Sequence, residues 1–159
     1  MRVVQNPTNT EYLCAMIAKH FRNLNINFVV GPTTAGIVLA YEVAKKLGTP
    51  CLFAEKVGEE RFFKRGLQPK KGDRVLVVDD ILTTGKSINE VIRALEQHQA
   101  EVAAIAVLVD RSEEGLRFAQ IPFFACLTSP AKAFAPGNCP LCQQRLPLTI
   151  PGGAKAPQG

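Results

Sequence analysis

Tryptophan is absent from this 159-residue chain, and tyrosine occurs only twice. Proteins that hold single-stranded nucleic acid stack bases on aromatic platforms, and this sequence is poorly supplied with rings for one. Long basic tracts are missing too: Lys45/Lys46, Lys64/Arg65 and Lys70/Lys71 are short, separate pairs. The net charge of +5 and pI near 9.1 therefore favour a small polyphosphate partner over nucleic acid. Runs such as Ala103 to Val109 fall far short of the roughly 20 apolar residues that span a bilayer, which excludes a membrane partner. The N-terminal MRVVQNPTNTEY lacks the apolar core of a secretory signal, so the sequence reads as cytoplasmic. Of five cysteines, Cys14, Cys51 and Cys126 lie in apolar patterns and read as reduced core thiols. Cys139-Pro-Leu-Cys142 is a lone CxxC with no second CxxC or His pair to complete the four ligands of a structural zinc site. It reads as a tight turn bearing two thiols; a zinc shared between subunits is the alternative. Internal repeats are also missing.

What is present is the alternation of one α/β domain. Hydrophobic residues make up 47% and charged residues 21%, ordinary for a soluble domain of this length. Leu13, Met16, Ile17, Phe21 and Leu24 recur at helical spacing after Asn9 and Thr10, which suit a cap. Phe28 to Val30 predicts a strand ending at Gly31-Pro32. Ile37, Ala40, Tyr41, Ala44 and Leu47 predict a helix closed by Gly48, and Cys51 to Ala54 a buried strand. Glu55 to Gly72 is polar and reads as a mobile loop or β-hairpin. Val75 to Val78 is a continuous apolar strand of the kind buried on both faces of a parallel sheet. Ile88, Val91, Ile92 and Leu95 predict the next helix; Val102 to Val109 and Ile121 to Leu127 are two more strands. The expected architecture is an open, mostly parallel sheet with helices on both faces. Residues 1–150 form its single domain, and 151–159 read as a disordered tail. Ligands of such sheets gather at the carboxyl ends of the strands. Gly31 to Gly36, Asp79 to Ser87 and Asp110-Arg111 lie there.

The middle of these, VVDDILTTGKS, sets two carboxylates before a turn rich in hydroxyls. A P-loop needs GxxxxGK[ST]. Gly85-Lys86-Ser87 has its tail, but Asp80 stands where the leading glycine belongs; Gly31 to Gly36 has the glycine spacing but continues into Ile37-Val38. Nucleotide-triphosphate hydrolysis of that type is excluded. Thr83 to Ser87 instead runs into a helix N-terminus, where backbone N–H groups and the helix dipole favour a phosphate. Thr83, Thr84 and Ser87 add hydroxyl donors, and Gly85 allows close approach. Asp79 and Asp80 would repel that phosphate, so they address another part of the ligand. Ionised carboxylates only accept hydrogen bonds, which suits vicinal sugar hydroxyls. The motif fits a ribose 5-phosphate.

VLVVDDILTTGKS resembles the ribose-phosphate motif of type I phosphoribosyltransferases. FAEK…KRGL from Phe53, VDRSEE from Val109 and CPLC…P…IPG from Cys139 narrow the resemblance to the orotate phosphoribosyltransferase family, over about Arg2 to Gly152. That resemblance implies an enzyme using 5-phosphoribosyl 1-pyrophosphate with Mg²⁺, carried by the substrate rather than by protein ligands, and releasing pyrophosphate. It implies that Gly31, Pro32, Thr33, Thr34, Ala35 and Gly36 form the diphosphate loop. Asp79, Asp80, Ile81, Leu82, Thr83, Thr84, Gly85, Lys86 and Ser87 hold the ribose phosphate. Lys56, Lys64 and Arg65 belong to a catalytic lid, often supplied by the partner of a homodimer, and Thr83 and Arg111 meet the base. The chain departs from the family on the base side. It starts past the usual N-terminal segment that helps close over orotate, and Glu113-Glu114 replace a glycine pair. Transfer to another base, or binding of the ligand without catalysis as a regulator, are the alternative readings.

Overall fold

The computed structural model describes residues 3–64, 66–113, 118, 120–132, 134–135 and 137–146. Six strands form one sheet in the order β3-β2-β1-β4-β5-β6, where β1 is Phe28–Pro32, β2 Cys51–Val57, β3 Glu60–Phe62, β4 Arg74–Leu82, β5 Glu101–Asp110 and β6 Phe123–Thr128. All neighbours are parallel except the β2–β3 hairpin, which pairs antiparallel. The expected mostly parallel α/β sheet is what forms.

Strand periodicity builds two cores. Successive side chains of a strand point to opposite faces. Leu76 and Val78 of β4 pack with Cys14, Ile17 and Phe21 of α1 (Pro7–Phe21) and with Leu39, Ala40 and Val43 of α2 (Ala35–Leu47). Val75 and Val77 face the other way, onto Ile88, Val91 and Leu95 of α3 (Lys86–Gln97), with Phe63 and Phe118. Helices thus cover both faces, and β4 is fully buried from Val75 to Val78.

Several boundaries differ from the sequence expectation. The cap of α1 is Asn6, whose side-chain oxygen accepts from the Asn9 amide at 3.1 Å, with Pro7 in the first turn. Thr10 lies inside the helix, buried, with its hydroxyl donating to the Val3 and Asn6 carbonyls. Proline's fixed φ suits a helix's first position, which pulls the start forward from Asn9. The helix also ends at Phe21, short of Leu24. Strand β4 continues through Asp79 and Asp80 to Leu82 because β5 keeps pairing with it as far as Asp110. The acids are therefore in the strand, not after it. Of the two readings for Glu55 to Gly72, the hairpin forms over Glu55 to Phe62, with β2 extended to Val57, while the described residues from Phe63 to Gly72 carry no helix or strand.

Cys14 is buried, and burial pushes its thiol up to about 12, as an inert core thiol requires. Cys51 and Cys126 are half-buried and free. Cys139 stands at the start of the single-turn α4 (Pro140–Gln143), so CPLC is a turn. Among the described residues no three His, Cys, Asp or Glu side chains gather as a metal site. No helix among them is long and apolar enough to cross a membrane.

Candidate active site

Strand order fixes where a ligand fits. After β1 the chain moves outward to β2, and after β4 it moves the opposite way to β5. Helix α2 leaves β1 on one face and α3 leaves β4 on the other. The connections part between two hydrogen-bonded strands and open a crevice at their carboxyl ends, the topological switch point where doubly wound sheets bind ligands. One wall is Gly31 to Gly36; the other is Asp79 to Ser87.

The first wall is a tight backbone loop. β1 holds Gly31 and Pro32, and α2 starts at Ala35, with no side chain capping it at Thr34. The Thr33–Thr34 peptide is cis. Gly31 and Gly36 lie back to back: a Cβ on Gly31 would sit 2.0 Å from the Gly36 carbonyl oxygen, and one on Gly36 would sit 2.6 Å from Pro32 Cδ. Only hydrogen fits at both places. The loop so closed presents backbone amides at a helix N-terminus, an arrangement that accommodates an anion.

In the second wall, strand alternation separates the two acids. Asp79 shares the side of Val75 and Val77 and is buried, 7% exposed. Asp80 is half-exposed on the other side, beside Ile81, Leu108, Val109 and Val4 along an apolar groove of about 210 Å³. The Asp80 amide donates to Asp79 Oδ1 and the Ile81 amide to Asp80 Oδ1, each at 2.9 Å. Burial raises the Asp79 carboxyl to about 7. The Asp80 amide and the Arg61 guanidinium pull it back down, while the Asp80 charge adds to the rise. The group sits at the point where a new hydrogen-bond donor would tip it to the carboxylate.

Beyond Leu82 the chain turns through exposed Thr83 and Thr84 to Gly85, at φ 74°. An L side chain rarely adopts that conformation. No side chain caps α3 at Gly85, and Thr84 Oγ1 accepts the Lys86 amide at 3.4 Å. Lys86 opens the helix with its exposed ammonium 3.2 Å from Glu59. Ser87 follows it in the first turn. Arg111 follows the end of β5, next to β4, where its amide donates to the Leu82 carbonyl at 2.8 Å. Its neighbour Asp110 is buried and accepts from the Ser112 amide and hydroxyl at 2.9 and 2.6 Å. The side chain of Arg111 is exposed, as is that of Glu113. Glu114 lies outside the described residues.

The lid residues separate. Lys56, on β2, stands 3.7 Å from Glu90 Oε1. Lys64 follows the hairpin back down the sheet edge, beside Cys51, Phe53, Phe63 and Leu67, on the far side of β2 from Asp79. The structure does not bring it to the crevice. Arg65 is outside the described residues.

Two residues passed over in the sequence stand behind the site. Arg61, 6% exposed, and Glu90, 5% exposed, form an ion pair at 2.9 Å. Glu90 shares the helical stripe of Val91 and Ala94, and a carboxylate there needs a buried cation. That need was readable in the spacing; its partner, 29 residues away, was not.

Comparison with known proteins agrees with this geometry. Residues 5–124 match the family model described as phosphoribosyl transferase domain. The orotate phosphoribosyltransferase of Caldanaerobacter subterraneus is 38% identical over 154 residues, covering 97% of this chain and 80% of its own length. That of Pelotomaculum thermopropionicum is 40% identical over 153 residues, covering 96% and 80%. In three dimensions the chain is similar to the adenine phosphoribosyltransferase of Thermoanaerobacter pseudethanolicus, with TM-score 0.67 over 80% of this chain and 84% of that one at 18% identity; this likeness concerns the fold. A switch-point crevice with two adjacent acids at the end of β4 and a glycine-closed loop at the end of β1, and relatives at this identity over nearly the whole of this chain, place it in the type I phosphoribosyltransferase family, with the orotate phosphoribosyltransferases.

Proposed function

We propose that the chain transfers the 5-phosphoribosyl group of phosphoribosyl pyrophosphate to orotate, giving orotidine 5-phosphate and pyrophosphate. The observation that carries this reading is the crevice itself: a carboxylate pair between two backbone loops, each open at a helix N-terminus. The 5-phosphate takes the Thr83–Ser87 turn at α3, and the diphosphate takes Gly31–Gly36 at α2. The 2- and 3-hydroxyls of the ribose donate to Asp79 and Asp80. The base comes from the kinship with orotate phosphoribosyltransferases over nearly the whole chain.

In this arrangement the C1–oxygen bond to pyrophosphate breaks, its electron pair leaving with pyrophosphate, and N1 of orotate bonds C1 as the N1–H bond breaks and its proton passes to the departing pyrophosphate or to solvent. Positive charge grows on the ribose ring as the bond breaks, and the carboxylates beside it stabilise that charge. Negative charge grows on the leaving diphosphate, where loop amides and the Lys56 ammonium oppose it. Arg111, free at the end of β5 to reach a ligand, pairs through its planar fork with the orotate carboxylate, and Thr83 borders the same space. Magnesium fits as a passenger of the diphosphate: among the described residues no three His, Cys, Asp or Glu side chains gather to hold it, and this ion is commonly held through substrate phosphates rather than by a protein cage. Bound there, it would neutralise diphosphate charge. Residues 1–150 act as one domain in this reading, supported by the single sheet. Family kinship supports a cytoplasmic homodimer in which Lys64 and Arg65 serve as lid residues for the neighbouring crevice.

The test is turnover of a base panel with phosphoribosyl pyrophosphate and magnesium. Orotate absorbance falls and pyrophosphate appears with orotate alone. Turnover of another base instead would replace orotate, and tight ligand binding with no turnover on any base would make the chain a sensor. Replacing Arg111→Ala then raises the KM for orotate about 10-fold to 100-fold, the loss of one bidentate charge-assisted contact. The KM for phosphoribosyl pyrophosphate stays put. Parallel rises in both would remove Arg111 from the base.

A further inference from the structure

Arg61 has no place in the reaction just described, yet three other parts of the structure meet on it. Its Nε donates to Glu90 Oε2 on α3 at 2.9 Å. Its Nη1 donates to the Ala54 carbonyl on β2 at 3.0 Å and reaches Thr33 Oγ1, in the diphosphate loop, at 3.4 Å. Ala54 is the β2 residue paired with Pro32, and its carbonyl also accepts the Thr33 amide at 3.2 Å. Thr33 is therefore held through both its backbone and its hydroxyl by groups that Arg61 organises. The other oxygen of Glu90 accepts no hydrogen bond among the described residues and faces Lys56 Nζ at 3.7 Å. A buried guanidinium paired to a buried carboxylate is costly to desolvate and weak as a source of stability, so a positional role accounts for it better.

We propose that Arg61 is the positioning residue for phosphoribosyl pyrophosphate, locking the Thr33 end of the diphosphate loop and, through Glu90, the ammonium of Lys56, without touching substrate itself. The proposal rests on the reading of the crevice as a phosphoribosyl pyrophosphate site. The guanidinium suits the task because its donors are fixed in a plane and can serve α3, β2 and the loop at once; an ammonium cannot. The charged groups around Asp79 fit the same picture. Asp80 lies on its own strand and Arg61 comes from β3. Glu90 of α3 and Lys56 of β2 stand behind Arg61, and Asp110 of β5 is engaged by Ser112. Arg61 thus also supplies positive charge next to the ribose acids.

The experiment compares Arg61→Lys, Arg61→Gln and Glu90→Gln with the unaltered chain by steady-state kinetics against pH, melting temperature and calorimetry with phosphoribosyl pyrophosphate. Arg61→Lys keeps the charge and loses the fork. Its KM for phosphoribosyl pyrophosphate rises about 10-fold, its KM for orotate is unchanged, and the acid limb of its kcat/KM profile stays in place. Arg61→Gln loses the charge too, and its acid limb moves to higher pH. Glu90→Gln follows Arg61→Lys in KM. A purely structural ion pair would lower the melting temperature while leaving the pH profile and the ratio of the two KM values alone, and that result overturns the proposal. If the unaltered chain turns over no orotate, the orotate reading fails by itself. Calorimetry then decides Arg61: binding about 10-fold weaker in Arg61→Lys supports the positioning role, and equal binding overturns it.

Discussion

Replacing Asp79 and Asp80 together with asparagine abolishes phosphoribosyl transfer and leaves the sheet folded. Each carboxylate accepts a charge-assisted hydrogen bond worth about 1.5–3 kcal/mol, so losing both lowers kcat/KM by about 10³-fold or more. Affinity for phosphoribosyl pyrophosphate falls with it, because the ribose contacts exist in the ground state too. The fold survives because β4 is held by Val75 to Val78 and Leu82, all buried, and an asparagine oxygen still accepts the Asp80 amide as Asp79 Oδ1 does now. The ligand-free variant is in fact the more stable one in alkaline buffer. Asp79 has its carboxyl raised from 3.8 to about 7 by burial, so the folded chain holds that proton more tightly than the unfolded chain. Below 3.8 both states are protonated and nothing is lost; from there to about 7 stability declines as pH rises. Asparagine removes the decline, a gain of about 4 kcal/mol at pH 8. The same linkage makes phosphoribosyl pyrophosphate bind the unaltered chain more tightly as pH rises from 6 towards about 7, since its hydroxyls favour the carboxylate; the dependence vanishes in the variant. Unaltered affinity in the double variant would overturn the assignment of the ribose to these acids.

The site was legible where chemistry is local. The acid pair, the hydroxyl-rich turn and the loop from Gly31 to Gly36 are each contiguous in sequence, and strand periodicity placed them at the ends of β1 and β4. What was not legible comes from contacts between distant segments. The end of β4 was drawn at Val78, because apolar character stops there; pairing with β5 carries the strand on to Leu82. That extension gives Asp79 and Asp80 opposite faces and such different burial. Arg61 looked like one more cation of a polar stretch, because its partners are 29 residues along the chain at Glu90 and 28 back at Thr33. Lys64 looked like a neighbour of Lys56, but the antiparallel return of β3 carries it away along the sheet edge.

Gly31→Ala removes binding of phosphoribosyl pyrophosphate more completely than the loss of any single polar side chain. The added methyl would lie 2.0 Å from the Gly36 carbonyl oxygen, 2.4 Å from its carbon and 2.9 Å from its Cα. These are backbone atoms at the start of α2, with no rotamer to swing away. α2 is anchored by Leu39, Ala40 and Val43, all buried in the first core. The helix therefore cannot retreat without opening that core, and the loop must yield instead. Overpacking of this kind costs about 1–3 kcal/mol or more, which for a domain of this size lowers the melting temperature by several degrees, at about 2–4 °C per kcal/mol. The functional loss is larger, since a displaced loop no longer aims its amides at one point and the diphosphate loses several contacts at once; affinity drops by about 10²-fold or more. Gly48→Ala separates the two effects. Gly48 ends α2 at φ 69° with nothing within 4 Å of an added Cβ, so alanine there costs about 1 kcal/mol of backbone strain and leaves calorimetric affinity unchanged. Retained affinity in Gly31→Ala, at a melting temperature no lower than that of Gly48→Ala, would mean that the diphosphate binds somewhere other than the loop between Gly31 and Gly36.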